Sequence, residues 1–465
     1  MNENHLIETQ GFRPVTRDGR VVGFAFEARI GYYRGVPLTI VSNLAVSVDG
    51  EPCRREDIRF TVDGREYTLD EMAREERVRW EYGARATISV LSGRALGPGA
   101  HVVRLSETVF PSYMPPPGFV SHGERVMTIV DPVQEPSAQS LGVSLYSYQY
   151  EYFLGRMSLA DALAEVAAIG ATGVQLLPEQ MMPGYPEPST AWVDEWHRLI
   201  ELHGLTPTVM DTFIDGAQAG HRALSHEEAV DRLVAQMKLA KLLGFPAIRP
   251  TTGPVEDAAP ELVRAALPDA ERLDIRILPE IHAPVRLDGP LTTSYVELIE
   301  KTGTRHLGFT LDLGVFCRRM PAALLAQARR RGVSEEILDY ITGAFAVSRP
   351  TGEVVAHVRD MGGTEAALTL AGHSGAFGPR TNTAANLTAL MPYVGNVHAK
   401  FYEIEDGEEK TIPYADVMSA IAASGYTGSL DSEYEGQRLV QDAFEVDSCE
   451  QVRRHHALMR KLLLA

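Results

Sequence analysis

The sequence is poor in cysteine. Three residues, Cys53, Cys317 and Cys449, are scattered through 465 positions, and none falls in a CxxC or Cys/His metal spacing. An odd, scattered set excludes a disulfide framework, fits a reducing cytoplasm, and leaves each thiol as a small buried hydrophobe. Apolar runs of membrane-spanning length are missing as well, so no membrane helix is expected. Met1 to Thr16 lacks the basic start and apolar core of a secretory signal, which again points to the cytoplasm. Positive charge is in deficit: 44 Lys and Arg face 62 Asp and Glu, a net charge of -18, which argues against a nucleic acid partner.

What is present is enough apolar residue, 45% of the chain, for a sizeable core, in a length that exceeds one ordinary domain. From about Gly11 to Asp131 alternating runs such as Phe24 to Ile30 and Arg85 to Leu91 are separated by Asp49-Gly50 and Asp63-Gly64, strong hairpin signals. Residues 1–130 therefore read as an all-β domain, a sandwich or open barrel. Its Pro111 to Gly118 loop is stiff and exposed, because consecutive prolines fix an extended backbone. Asp131 to Ser140 has the composition of a linker.

Residues 141–465 change texture, with short apolar strands alternating with capped helices. Strands are expected at Leu141 to Tyr146, Gly173 to Leu177, Thr206 to Met210, Ala247 to Arg249, Ile275 to Ala283, Leu307 to Asp312, Val394 to Phe401 and Gly428 to Glu433. Ser158 with Asp161 and Ser225 with Glu228 box two helices, and Gly170, Gly204 and Gly244 stop three. Trp192 and Trp196 sit at helical spacing and read as core. Helices are further expected at about Asp257 to Leu267, Ser294 to Lys301, from Pro413 to Gly425, and from Gln441 to Leu464. About eighty residues separate strands six and seven, far more than a normal loop. One or two helices near Pro321 to Arg331 and Ser334 to Phe345, then a Gly-rich section from Asp360 to Asn382, are expected there, as a lid or subunit contact. Eight strands with intervening helices predict a (β/α)8 TIM barrel. No GxGxxG follows the first strand to favour an open dinucleotide-binding sheet.

In such a barrel chemistry sits at the carboxyl ends of the strands. Strands five to eight end in Glu280 and His282, Asp312, His398 and Lys400, and Glu433 with Glu435. Glu280, Asp312, His398 and Glu433 offer three hard oxygens and one imidazole, a set suited to Mn²⁺ foremost or Mg²⁺, with Co²⁺ or Zn²⁺ compatible. Converging carboxylates without a cation would repel one another, so a divalent ion is the natural resolution. Side chains two apart share a face, which places His282 and Lys400 just above that ion: His282 to contact substrate or move a proton, Lys400 to stabilise an oxyanion or act as base. The plainer reading of Lys400 is an ion pair with Glu435 or Asp431.

Ile277 to His282, Gly308 to Asp312, Asn396 to Lys400 and Gly428 to Glu433 resemble the strand motifs of xylose isomerase-like sugar isomerase/epimerase barrels. The resemblance implies metal binding by Glu280, Asp312, His398 and Glu433, with Glu280 and Glu433 moving protons. Val315 stands where ketose epimerases commonly carry a histidine, a departure from plain epimerisation. Phe110 to Phe119 (F-P-S-Y-M-P-P-P-G-F), His398 to Tyr402 and Glu433 to Gly436 resemble the small β and large barrel subunits of C-glycoside deglycosidases, here in one chain. That likeness implies cleavage of a 3-oxo C-glycoside by enediolate formation and β-elimination, with Tyr113, Met114 and Phe119 as candidate aglycone contacts. The alternatives are a sugar isomerase/epimerase, a 3-oxo O-glycoside lyase, or a non-catalytic sugar-binding protein. The expected partners are a small-molecule glycoside and, from the long insertion, further copies of the chain.

Overall fold

The computed structural model describes residues 3–130, 139–214, 224–251, 259–377 and 382–463. The chain divides into two compact units, Met1–Val133 with Ala168–Gly170, and the remainder. Most of the expected linker, 131–138, lies outside the described residues.

Alternation of apolar and polar side chains builds the amino-terminal unit. In Ile58–Val62 the isoleucine, phenylalanine and valine are buried while Arg59 and Thr61 are half-exposed, as a strand with one face on a core requires. Five antiparallel strands run in the order Arg13–Arg17, Arg20–Arg29, Arg85–Val90, Ile58–Val62, Arg65–Thr68, and four in the order Phe119–Ile129, Gly99–Val109, Val41–Val48, Glu51–Pro52. Both sheets feed one core, with Phe26, Phe60 and Ile88 from the first and Val46, Leu105 and Met127 from the second. The Asp63-Gly64 turn joins Val62 to its partner Arg65 with both central residues at positive φ (50° and 74°), the type I′ geometry that matches strand twist. The Pro111 to Gly118 loop joins the two longest strands.

In the second unit eight parallel strands pair in a closed cycle. Ser140–Ser144 lies between Gly173–Leu176 and Ser429–Tyr434, and pairing continues through Thr206–Phe213, Ala247–Thr251, the fifth strand, Phe309–Asp312 and Val394–Phe401 back to Ser429–Tyr434. The strand expected to run unbroken from Ile275 to Ala283 is in two pieces. Arg276–Ile277 pairs with strand four and Glu280–Ile281 with strand six. Pro279 has no N–H to offer a ladder, so the strand is interrupted there, while Ile277 before it already bridges Leu307 on the strand-six side. At the barrel's interior Asp431 accepts from Asn396 Nδ2 (2.7 Å), Thr208 Oγ1 (3.0 Å) and Ser429 Oγ (2.5 Å), a buried carboxylate with its needs met. Gly142 leaves the space, because a Cβ there would lie 1.9 Å from Asp431 Oδ1.

The helices follow their caps. Both boxes form, Ser158 with Asp161 and Ser225 with Glu228. Trp196 is buried, stacks on Phe245 at 5.6 Å and donates to the Leu243 carbonyl (2.9 Å); Trp192 is half-buried beside it. Three expectations need correction. The helix expected to end at Leu267 spans Ala259–Leu273 and carries Pro268 within it. The region between strands six and seven holds five helices, Ala322–Arg330, Glu335–Ala346, Thr351–Asp360, Glu365–His373 and Ala384–Leu390, where Gly-rich irregular chain was expected after Asp360. Glycines at 362 and 363 only separate two helices whose Val354, Val358, Ala367 and Leu370 share one core. The last helix is Ser448–Leu463, preceded by a short Gln437–Val440 turn of helix, not one run from Gln441.

One buried acid of the amino-terminal unit makes stability depend on pH. Glu107 Oε2 accepts from the Gly31 amide (3.1 Å), while Oε1 has no hydrogen-bond partner. Burial pushes its pKa from 4.5 up to about 7. Between those values the folded state holds the extra proton, so this group's contribution to stability falls as pH rises through the window. Glu107→Gln is therefore expected to have the higher melting temperature above pH 7, by on the order of 2 to 3 kcal/mol in stability, with the advantage shrinking toward pH 5. Parallel melting profiles of the two proteins against pH would show that Glu107 does not titrate there.

Candidate metal centre

Parallel pairing brings four strand ends to one height. Glu280 from the second piece of strand five, Asp312 from strand six, His398 from strand seven and Glu433 from strand eight each place one donor atom within 4.8 Å of the others. The structure thus gathers all four residues that the strand-end rule selected. His398 Nδ1 lies 2.8 Å from Glu280 Oε1 and 3.4 Å from Glu433 Oε2. Glu433 is buried, and His398 is fully buried among carboxylates.

Lys400 does not stand above this group; it reaches into it. Its Nζ is 2.6 Å from Asp312 Oδ2 and 3.3 Å from Glu433 Oε2. The expected pairing with Asp431 is replaced, because that carboxylate is already satisfied by Asn396, Thr208 and Ser429. Burial disfavours the charged ammonium, but Asp312 and Glu433 outweigh it and hold the Lys400 pKa well above the ordinary lysine value. The same balance favours the ionised form of the two glutamates, whereas burial raises Asp312 and Asp211 above the ordinary aspartate value. Burial works against Glu433 and Glu280, yet Lys400 and His398 bring Glu433 down to about 2, and Arg249 and His398 hold Glu280 well below the usual range.

Two contributors came from strand ends outside the five-to-eight set. Asp211, on Thr206–Phe213, accepts from Arg249 Nε at 2.9 Å, and Arg249 Nη1 donates to Glu280 Oε2 at 3.1 Å. The same rule applied to strands three and four would have found them, though the strand expected to stop at Met210 hid Asp211. With these two included, four buried carboxylates face two permanent cations, Lys400 and Arg249. The oxygen-rich donor set with one imidazole fits a divalent ion.

The centre opens on a cavity of about 420 Å³ lined by Asp312, Lys400 and His282 on the barrel side. Gln327, Thr369 and His373 from the insertion line it too, so the insertion walls the cavity of its own chain. His282 Nδ1 is 2.8 Å from the Ala283 carbonyl. A carbonyl only accepts, so Nδ1 carries the proton and the lone pair lies on Nε2. Glu435 lies on the same lining, 3.5 Å from Arg438. Val315 is buried in the turn Leu313–Phe316. Cys317 and Cys449 are buried and Cys53 half-buried, all as free thiols. In the amino-terminal unit the exposed Tyr113 hydroxyl bonds that of Tyr33 (2.6 Å) and that of Tyr32, while Met114 and Phe119 pack on the unit's own core. No described helix is long and apolar enough to cross a membrane.

Residues 2–113 match the family described as the C-glycoside deglycosidase beta subunit, and residues 163–342 match the xylose isomerase-like TIM barrel. The chain is 30% identical over 341 residues to a 3'-dehydrocarminate deglycosidase alpha subunit of Microbacterium sp, covering 69% of this chain and 94% of that protein. It is 29% identical over 339 residues to a C-glycoside deglycosidase alpha subunit of Arthrobacter globiformis, covering 70% and 93%. A C-glycoside deglycosidase beta subunit of Eubacterium cellulosolvens is 32% identical over 115 residues, 24% of this chain and 78% of that subunit. The chain therefore belongs to the C-glycoside deglycosidase family, with a region like the beta subunit ahead of a xylose isomerase-like barrel like the alpha subunit.

Proposed function

We propose that the protein cleaves the carbon–carbon bond of a 3-oxo C-glycoside. The observation that carries this reading is a cluster of four metal-donor side chains, one of which, Asp312, lines the same cavity as His282 and Lys400, with the Lys400 ammonium 2.6 Å from Asp312. Glu280, Asp312, His398 and Glu433 would hold a divalent ion, Mn²⁺ foremost, which when bound supplies Lewis acidity to a ketone and its neighbouring hydroxyl.

The proton on carbon 2 is acidic because the ketone stands on carbon 3. His282 Nε2 is the proposed base that takes it, with Glu280 and Glu433 the alternative bases. The electron pair left on carbon 2 is delocalised onto the ketone oxygen as an enediolate, whose negative charge the Lys400 ammonium can face. It then returns to form a carbon 1–carbon 2 double bond as the bond from carbon 1 to the aglycone breaks. A phenolic aglycone accepts the departing pair when its ring carbon is already protonated, in the keto tautomer, and regains aromaticity as it leaves. Buried carboxylates suit this sequence, since charge interactions strengthen where the dielectric falls. Tyr113, Met114 and Phe119 are proposed as substrate contacts, and the cytoplasm as the site of action. Cleavage of a 3-oxo O-glycoside, or isomerisation of a free ketose, shares the first proton transfer, so products decide among them.

Incubation with a 3-oxo C-glucoside, its O-linked analogue and a free ketose is expected to release the aglycone from the C-glucoside, to stop with chelator, and to resume with Mn²⁺. Epimerised ketose as the sole product would overturn the reading, and activity indifferent to chelator would remove the metal from it. Glu280→Gln is expected to lower metal content, whereas His282→Ala retains the metal and loses about 10²- to 10⁴-fold in turnover; the reverse pattern, seen by metal analysis and kinetics together, would exchange their roles. Tyr113→Ala is expected to raise KM for substrates with bulky aglycones more than for small ones, and an equal effect on both would deny it a substrate contact.

A further inference from the structure

Behind the four donors lies a second charged layer, contributed by strands three and four. Asp211 and Arg249 are 1% and 6% exposed. The Arg249 guanidinium spans two carboxylates, Nε on Asp211 Oδ1 (2.9 Å) and Nη1 on Glu280 Oε2 (3.1 Å), with a further bond from Nη1 to Thr251 Oγ1. The ring of Phe213 lies 5.7 Å from its charge. Asp211 Oδ2 and His398 Nε2 are both buried without hydrogen-bond partners among the described residues, and Asp211 Oδ1 is 3.8 Å from that same Nε2. The pair therefore backs two of the four donors, Glu280 by a guanidinium fork and His398 by a carboxylate.

We infer that Asp211 and Arg249 are positioning residues for the metal centre, an inference that rests on the proposed metal role of Glu280 and His398. Asp211 Oδ1, 3.8 Å from His398 Nε2, is within a small shift of a hydrogen bond from that nitrogen, a bond that would fix the tautomer whose Nδ1 lone pair faces Glu280 and Glu433. A buried ring nitrogen with no other partner has strong reason to take that bond. Arg249 occupies Glu280 Oε2, which leaves Oε1, the oxygen nearest His398 Nδ1, directed into the centre. The planar fork holds both carboxylates in one geometry, which the point charge of a lysine cannot do. Outer partners of this kind set ligand orientation and basicity, and their loss typically weakens metal affinity 10- to 100-fold.

The test uses the full chain, stripped of metal, and titrates it with Mn²⁺ by calorimetry in the wild type, Asp211→Asn and Arg249→Lys. Melting of each metal-free protein is recorded in parallel. The expected result is a dissociation constant raised about 10- to 100-fold in both variants, while the metal-free melting temperatures remain within a few degrees of wild type. Wild-type affinity in a folded variant would overturn the role of that residue. Loss of binding that accompanies loss of fold in both variants would overturn it as well, because the pair would then be structural only. A wild-type protein that binds no divalent ion would instead overturn the metal centre, and the positioning role with it.

Discussion

The excess negative charge at the carboxyl end of the barrel is the constraint on which the rest of the site depends. Asp211, Glu280, Asp312 and Glu433 are drawn from four strands into a space where, among the described residues, Arg249 and Lys400 pair with them. A cluster of buried acids is costly unless paired. Lys400 and Arg249 meet part of that cost by direct contact, and His398 lies between Glu280 and Glu433. The donor set that remains has the chemistry a divalent ion takes. The same contacts bring the Glu433 pKa down to about 2 and hold that of Lys400 well above the ordinary lysine value.

Such a cluster persists only on a rigid frame. The frame here is the closed cycle of strand pairings and, inside it, the fully bonded Asp431 with Asn396, Thr208 and Ser429. The break at Pro279 leaves that closure intact, because Ile277 pairs with strand four and bridges Leu307 before the proline, and Glu280–Ile281 pairs with strand six after it. The insertion adds the opposite wall of the cavity. Its helices bury their own core, with Leu338, Ile341, Val358 and Leu370 among its members, and so can present Gln327, Thr369 and His373 to the space over the metal donors. A short loop could line such a cavity only with mobile chain; packed helices line it with fixed side chains.

Much of this was legible because local chemistry and tertiary need agree. Val394–Phe401 reads as a strand from its apolar run and is one, residue for residue. Ser225 with Glu228 caps its helix through purely local bonds. The readings that failed did so where distant contacts overrule local preference. Pro268 marks a helix end by its missing N–H, yet Ala259–Leu273 runs through it with Leu262, Val263, Ala266 and Ala270 buried. Gly362 and Gly363 suggest irregular chain, but the apolar residues on either side pack together and make both neighbours helical. Asp211 was missed because the end of its strand is set by pairing of Met210 to Phe213 with Ile248 to Thr251 of strand four, which period-two patterning does not reveal.

By itself the sequence determined that a β-rich region precedes an eight-stranded barrel, and that Glu280, Asp312, His398 and Glu433 stand at strand ends. Side-chain alternation and capping are local properties, readable from spacing alone. Only the tertiary structure decided that these four meet within one ion's reach, that Lys400 reaches into their midst and leaves Asp431 to other partners, and that Arg249 ties Asp211 to Glu280. Those outcomes depend on the relative height and tilt of strands far apart in the chain, and on which buried charges remain to be balanced once the barrel has closed.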